Sequence, residues 1–427
     1  MPRFPALVST LAVLVAACGS RSADDYLQSA ERQIAQGNRR GAEIELLNAV
    51  KLAPSGGPAH RLRGINRLAL QQPALAEADL RRALQLGESA ESVLPSLLEA
   101  LLAQGKSRQL LAEFAAAAAL KSPAAQADVR TAIGEAYLAE RQVEEGQAEF
   151  RAAESVQPGH VGARLGLARI EAAAGRTDAA LAMVDEVIAR SDAAEAHFTR
   201  AVLLRLRGDA AGSQQSLERA LAVQPEHLRA RIELVSDRID ARDFGQAEAL
   251  LGAPAAQAAA DDARLEFLKA KLDARRGALA EARRRIAAVL RTQPDNAAAN
   301  LLAGEIELQD GKPAEAEAHL RRTLVAQRLH RQARHLLAVL HLRQGRPAQA
   351  IEDLQPLLES GPRQDPATLR LAGEAHLQHG ELGKAAVLFE AARSAPGGDA
   401  HALYRLGQIA LSRGELEAGI RALEGAA

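Results

Sequence analysis

Glycines and prolines recur along this chain at a fixed interval, and that interval restricts the fold more than any other feature. Gly37, Gly105, Gly175, Gly208, Gly277, Gly311, Gly345, Gly380 and Gly414 are separated by 68, 70, 33, 69, 34, 34, 35 and 34 residues. The intervals near 70 are double steps, with Gln71, Arg141 and Arg242 in the skipped places. Prolines follow about half a period later, at Pro54, Pro123, Pro158, Pro225, Pro294, Pro362 and Pro396. A helix often ends on a residue with positive φ, which glycine adopts without strain. Proline cannot continue a helix and turns the residue before it away from the helical region. The pattern therefore predicts helix, glycine turn, helix and break, repeated along the chain. Internal repeats of this length mark stacked architectures in which each unit packs only on its neighbours.

Twelve units are expected, starting near residues 23, 57, 91, 127, 161, 194, 228, 263, 297, 331, 366 and 400. The fourth unit shows the pattern best, with Ile133-Gly134, Tyr137, Gly146, Phe150, Ala153 and Pro158. It resembles the tetratricopeptide repeat (TPR) template of Leu-Gly, Tyr, Ala, Phe, Ala and Pro, with Gly146 in place of alanine. The expected fold class is all-α, a right-handed superhelical solenoid of about twelve TPR helix-turn-helix repeats over residues 23–427. With seven Phe, three Tyr and no Trp, the core has to be built from Leu, Ala, Val and Ile. Two departures stand out. Pro254 falls where a small helical residue belongs, so the unit near 228–262 should be irregular, with a shortened second helix. The chain stops at Gly425-Ala426-Ala427 without a polar capping helix, so it is expected to be truncated.

Residues 1–17 read as a lipoprotein-type signal peptide: Arg3, then an apolar run that is too short to span a bilayer comfortably. Val15-Ala16-Ala17-Cys18 resembles a bacterial lipobox, with Val15 in place of the commoner leucine. Cys18, the single cysteine, is the expected lipidation site, and residues 18–22 form the lipidated N-terminal linker. Stable anchoring needs more than one acyl chain, and a diacylated cysteine supplies it. The expected location is the bacterial cell envelope facing the periplasm. Gly19 and Ser20, with no Asp directly after the cysteine, favour the outer membrane over the inner. The alternative is a chance cysteine in an ordinary signal peptide.

The first hundred residues after this segment are more particular. Gly37-Asn38, Ala42, Ile44, Leu46 and Asn48-Ala49 are followed by Leu94-Pro95, Ala100-Leu101-Leu102 and Gly105-Lys106. Together with the lipobox, they resemble the TPR-repeat lipoprotein of the PEP-CTERM/exosortase system, with Gly41 and Ser96 departing from its pattern. The resemblance covers residues 18 to about 125. It implies a bacterium that makes exopolysaccharide, and a role in exopolysaccharide export or PEP-CTERM protein sorting.

The chemistry-bearing residues do not assemble into a catalytic motif. GxSxG, GxxxxGK[ST] and HExxH are absent from the sequence, so no catalytic residue, cofactor or metal site is expected, and the chain reads as a scaffold and not an enzyme. His330, His335 and His341 lie close in sequence, as do His376 and His379, but packing between helices is the expected role of His341 and His376. Lys and Arg number 53 against 54 Asp and Glu, for a formal net charge of −1. That balance and the scarcity of aromatics argue against a nucleic-acid surface.

The expected binding surface is a concave groove lined by the first helix of each unit, taking protein or peptide partners. Arg264, Lys271 and Arg275 fall on one helical face of the eighth unit, and Arg169, Arg205 and Arg229 on comparable faces of earlier ones. A basic stripe of this kind could hold a carboxylate; ordinary solvated charge is the alternative. Three other functions remain open: an outer-membrane assembly lipoprotein that stabilises a secretin or β-barrel, the non-catalytic part of a longer enzyme, and a cytosolic adaptor. Nothing in the sequence fixes the oligomeric state.

Overall fold

The computed structural model describes residues 21–115, 120–254, 256, 262–360, 365–395 and 400–426. The candidate signal peptide, Cys18, Pro362, Pro396 and Ala427 lie outside them. Twenty-four helices and no strand are found among the described residues. They pair into twelve hairpins. Hairpins 1 to 4 are Ala23–Ala35 with Arg39–Leu52, Gly57–Ala69 with Pro73–Gln85, Ala90–Ala103 with Ser107–Phe114, and Pro123–Ala139 with Val143–Val156. Hairpins 5 to 8 are Val161–Ala173 with Thr177–Ser191, Ala194–Leu206 with Ala210–Val223, Leu228–Asp240 with Phe244–Gly252, and Ala263–Arg275 with Leu279–Thr292. Hairpins 9 to 12 are Ala297–Gln309 with Pro313–Ala326, Arg331–Arg343 with Pro347–Glu359, Pro366–Gln378 with Leu382–Ser394, and Ala400–Ser412 with Leu416–Ala426.

One turn joins the two helices of every hairpin. Its αL residue is glycine in nine, from Gly37 to Gly414. In the other three it is Gln71, Arg141 and Arg242, at φ 59°, 63° and 59°. In hairpin 1 the Gly37 N–H donates to the Ile34 carbonyl and the Asn38 N–H to the Gln33 carbonyl. Gln71 and Gln72 repeat that pair with Leu68 and Arg67, and Arg141 and Gln142 with Leu138 and Tyr137. This is the Schellman arrangement, which satisfies carbonyls that the helix end leaves open.

Packing inside a hairpin follows a second regularity. A small residue of the first helix faces a large one sixteen positions later on the second: Ala30 and Leu46, Gly64 and Leu80, Gly134 and Phe150, Ala270 and Ile286, Gly373 and Phe389. The large members of these pairs are buried, and burying such a side chain contributes about 1.5–3 kcal/mol. The chain divides into two compact units, Met1–Glu233 with Pro254–Ala259, and Leu234–Ala253 with Ala260–Ala427. In the first unit the core of hairpins 2 to 4 is leucine-rich, around Leu80, Leu97, Leu98, Leu101, Leu110 and Ile133. In the second it is built around residues such as Ile286, Ile306, Leu354 and Phe389.

The structure corrects one expected boundary. Hairpin 4 starts at Pro123 instead of near residue 127. Pro123 does not close a unit. Ser122 caps the helix through its Oγ, which accepts from the Ala125 N–H at 3.4 Å, and Pro123 takes the first helical position. There its missing N–H costs nothing. In hairpin 7 the second helix has 9 residues, and Ala253 behind it is extended at ψ 147°. Pro254 follows, and the residue before a proline is disfavoured in the helical region.

Candidate functional site

The surface that the repeats hold in common is the face of the first helices. Successive first helices touch each other directly, as in hairpins 3 and 4, 4 and 5, and 10 and 11. Their outward positions form a row of side chains that crosses from hairpin to hairpin.

That row is laced with ion pairs between neighbouring first helices. In the first unit Arg169 pairs with Glu135 one hairpin back, and Arg205 with Glu233 one hairpin on. Arg229 meets Glu195 at 3.0 Å, with its guanidinium 4.3 Å above the Phe198 ring. In the second unit Lys271 meets Asp240 at 2.9 Å and Ser236 at 3.2 Å, and Arg275 stands 4.0 Å from Glu305. Arg264 differs, because it folds back 2.6 Å onto Asp262, the cap of its own helix. Further along, Glu374 takes Arg405 at 2.6 Å and His401 at 2.8 Å.

Every cation singled out from the sequence therefore sits on or beside a first helix, and each has a carboxylate partner. Within each unit the face alternates in charge, and five of the six basic residues pair with a carboxylate on a neighbouring first helix. The partners Glu135, Glu195, Glu233, Asp240 and Glu305 were missed in the sequence. A signal for two of them was present, since Glu135 precedes Arg169 and Glu195 precedes Arg229 by 34 residues, one repeat period.

Histidines at helix starts tie into the same row. His160 Nδ1 accepts from the Ala163 N–H at 3.2 Å while Nε2 faces Asp128 at 3.0 Å. His227 Nδ1 accepts from the Ala230 N–H at 3.1 Å, and Nε2 faces Glu195 at 3.0 Å. With Nδ1 accepting from a backbone N–H, Nε2 is the ring nitrogen that carries hydrogen toward the carboxylate. Each is a cap and a link to the hairpin before it.

The carboxylates divide by environment. Burial alone would raise Glu195, but the His227 hydrogen bond and the Arg229 charge outweigh it and hold the group low. Burial would likewise raise Asp262, and the side-chain and backbone bonds from Arg264 keep it low. Burial prevails at Glu99, whose carboxyl is pushed up further by Asp128, and at Glu305, despite Arg275 and Lys271. Raised and lowered carboxylates thus occur in both units, set by which of them has a close cation. Between the charges, Val202 and Leu206 of hairpin 6 leave an apolar spot, 41% and 67% exposed.

The histidines of hairpins 10 and 11 do not converge. His341 is fully buried, with Nδ1 2.7 Å from Asp353, and His376 bonds Glu381. His335 Nε2 lies 2.7 Å from Thr368 Oγ1. Among the described residues no group of three His, Cys, Asp or Glu is placed to hold a metal ion, and no helix is long and apolar enough to cross a membrane.

Hairpins stacked one on the next define a helical-repeat fold. The chain is an all-α tetratricopeptide-repeat solenoid. Two family patterns described as tetratricopeptide repeat match it, one over residues 267–330, 335–399 and 371–427, the other over 137–201. A curated relative, cellulose synthase operon protein C of Xanthomonas axonopodis pv. citri (strain 306), is 32% identical over 200 residues. That match takes in 45% of this chain and 13% of the relative, so the chain spans a small part of the relative's length. Among solved structures, the APC/C hetero-tetramer Cut9-Hcn1 aligns with TM-score 0.46 and 12% identity, over 94% of this chain and 86% of that one. Yeast Tom70 aligns with TM-score 0.46 and 14% identity, over 93% and 90%.

Proposed function

We propose that this protein is a lipid-anchored periplasmic scaffold that holds protein or peptide partners along its first-helix face, in exopolysaccharide export or in PEP-CTERM/exosortase protein sorting. The ion-paired first-helix face, with its apolar spot at Val202 and Leu206, is the observation that carries the binding role. A preformed face of this kind receives an extended partner at little ordering cost. The likeness to cellulose synthase operon protein C supports the polysaccharide setting, as does the resemblance of residues 18 to about 125 to the PEP-CTERM lipoproteins. Cys18 supplies the anchor, and the outer membrane is the favoured site.

The test is photo-crosslinking from positions 169 and 271 in the native envelope. Polysaccharide-export or exosortase components should be captured, and reversing the charges of Arg264, Lys271 and Arg275 together should reduce the yield from position 271. Secretin or β-barrel components in their place would transfer the reading to an outer-membrane assembly factor. Unchanged capture after the reversal would remove the charged face from the binding site.

A further inference from the structure

Hairpin 1 carries an outward stripe that the other described hairpins do not share. On its second helix Arg40, Ile44, Leu47 and Lys51 follow at i, i+4, i+7 and i+11, and all four are exposed. Ile44 is 64% and Leu47 53% exposed. That spacing lines one side of a helix. The hairpin's own packing uses the opposite side, where Ala42, Leu46 and Ala49 are buried. At the places of Ile44 and Leu47 hairpins 4, 5 and 6 carry small, polar or charged residues, Ala148 and Arg151, Ala182 and Asp185, Gln215 and Glu218, while hairpin 11 has an exposed Val387 but follows it with Glu390. Two bare apolar side chains between two cations therefore have no role in stacking the repeats.

A second observation concerns where the chain enters. Arg21 Nη2 lies 2.9 Å from Glu45 Oε2, and its guanidinium sits 4.3 Å over the Tyr26 ring. Arg21 is thus fixed beside the residue that follows Ile44. Cys18 precedes it by three residues, a span of at most about 10 Å. A lipid on Cys18 would enter a bilayer next to the stripe.

We infer that hairpin 1 lies on an anionic lipid bilayer through Arg40, Ile44, Leu47 and Lys51; this rests on the lipoprotein reading above. The apolar pair enters the boundary between headgroups and acyl chains, and the two cations reach lipid phosphates. The acyl anchor sets the distance to the membrane, and the stripe sets the orientation of hairpin 1, with its first helix on the side away from lipid.

The experiment uses the full chain purified from the envelope, with Leu47→Cys carrying an environment-sensitive fluorophore and Glu145→Cys as the control position. Acylation of Cys18 would leave the introduced thiol as the single reactive one, and the mass of the N-terminal peptide reports that acylation independently. Position 47 should shift to the blue in phosphatidylglycerol vesicles and not in phosphatidylcholine. Position 145 should not shift in either, and Arg40→Glu with Lys51→Glu should abolish the shift. An acylated, vesicle-bound protein whose position 47 reports water would overturn the inference and leave the anchor standing. An unacylated Cys18 would overturn the anchor, and the inference with it.

Discussion

The ring of Phe150 lies against the backbone of Gly166 in the next hairpin, so closely that a Cβ on Gly166 would stand 2.5 Å from its Cζ. The same ring covers Gly134 of its own hairpin, where a Cβ would come within 2.8 Å. Phe150 is fully buried and cannot swing clear, so it joins hairpins 4 and 5 through two glycines.

Gly166→Ala should therefore destabilise the first unit by about 2 kcal/mol, the range of overpacking in a filled core. Gly383→Ala is the counterpart, since nothing lies within 4 Å of its Cβ position. It should stabilise by about 0.5–1 kcal/mol through the helix preference of alanine over glycine. Chemical denaturation of each variant checks both signs.

The three turns without glycine predict the reverse. Gln71, Arg141 and Arg242 hold positive φ, which costs a residue with a Cβ about 1 kcal/mol. Changing each to glycine should raise stability by somewhat less than that, because glycine also loses more freedom on folding. Gly311→Ala, at φ 71°, should lower it by about 1 kcal/mol. Thermal melts of the four variants provide the comparison.

Glu77 links hairpins 2 and 3. Burial would raise its carboxyl, but Lys106 at 2.7 Å, Arg81 at 2.9 Å and Gln104 at 2.9 Å outweigh that and bring it from 4.5 down to about 2. A carboxyl lowered by folding adds stability above its unfolded value and loses it as pH falls through the folded one. Glu77→Gln should thus cost on the order of 1–2 kcal/mol near pH 7, a figure discounted for the exposure of Lys106 and Arg81. The deficit should shrink between pH 4.5 and about 2. A constant deficit across that range in acid titrations of both proteins would assign the loss to packing.

His160 caps a helix and bonds the hairpin before it. His160→Ala should cost about 1 kcal/mol, and His160→Asn should recover much of it, because asparagine also accepts from the first-turn N–H groups. Hydrogen exchange at Ala163 measures the cap directly, with faster exchange expected in the alanine variant.

Much of this architecture was legible from single residues. A turn that needs positive φ marks itself with glycine, and a strict period locates Gln71, Arg141 and Arg242 by their place alone. The small and large residues sixteen apart are equally local. The start of hairpin 4 was misread because proline serves both to end a helix and to begin one, and only the Ser122 cap separates the two roles. The ion pairing on the first-helix face was half visible. Cations stood out by type, while their partners lie on a different hairpin, and charge alone does not say which of many glutamates comes within 3 Å. Glu305 was not legible, because its raised carboxyl comes from how surrounding helices enclose it.

The turn has one geometry in all twelve hairpins, and the distance from its αL residue to the small and large partners is also constant. The αL residues themselves are 33 to 36 residues apart. That variation falls between the large partner of one hairpin and the small partner of the next, in the helix ends and the connections that join them. Those connections are the joints at which the chain tolerates a change of length. An epitope tag or a reporter domain placed there should leave the hairpins on either side in register, and the same insertion within a hairpin would separate the two residues that hold it closed.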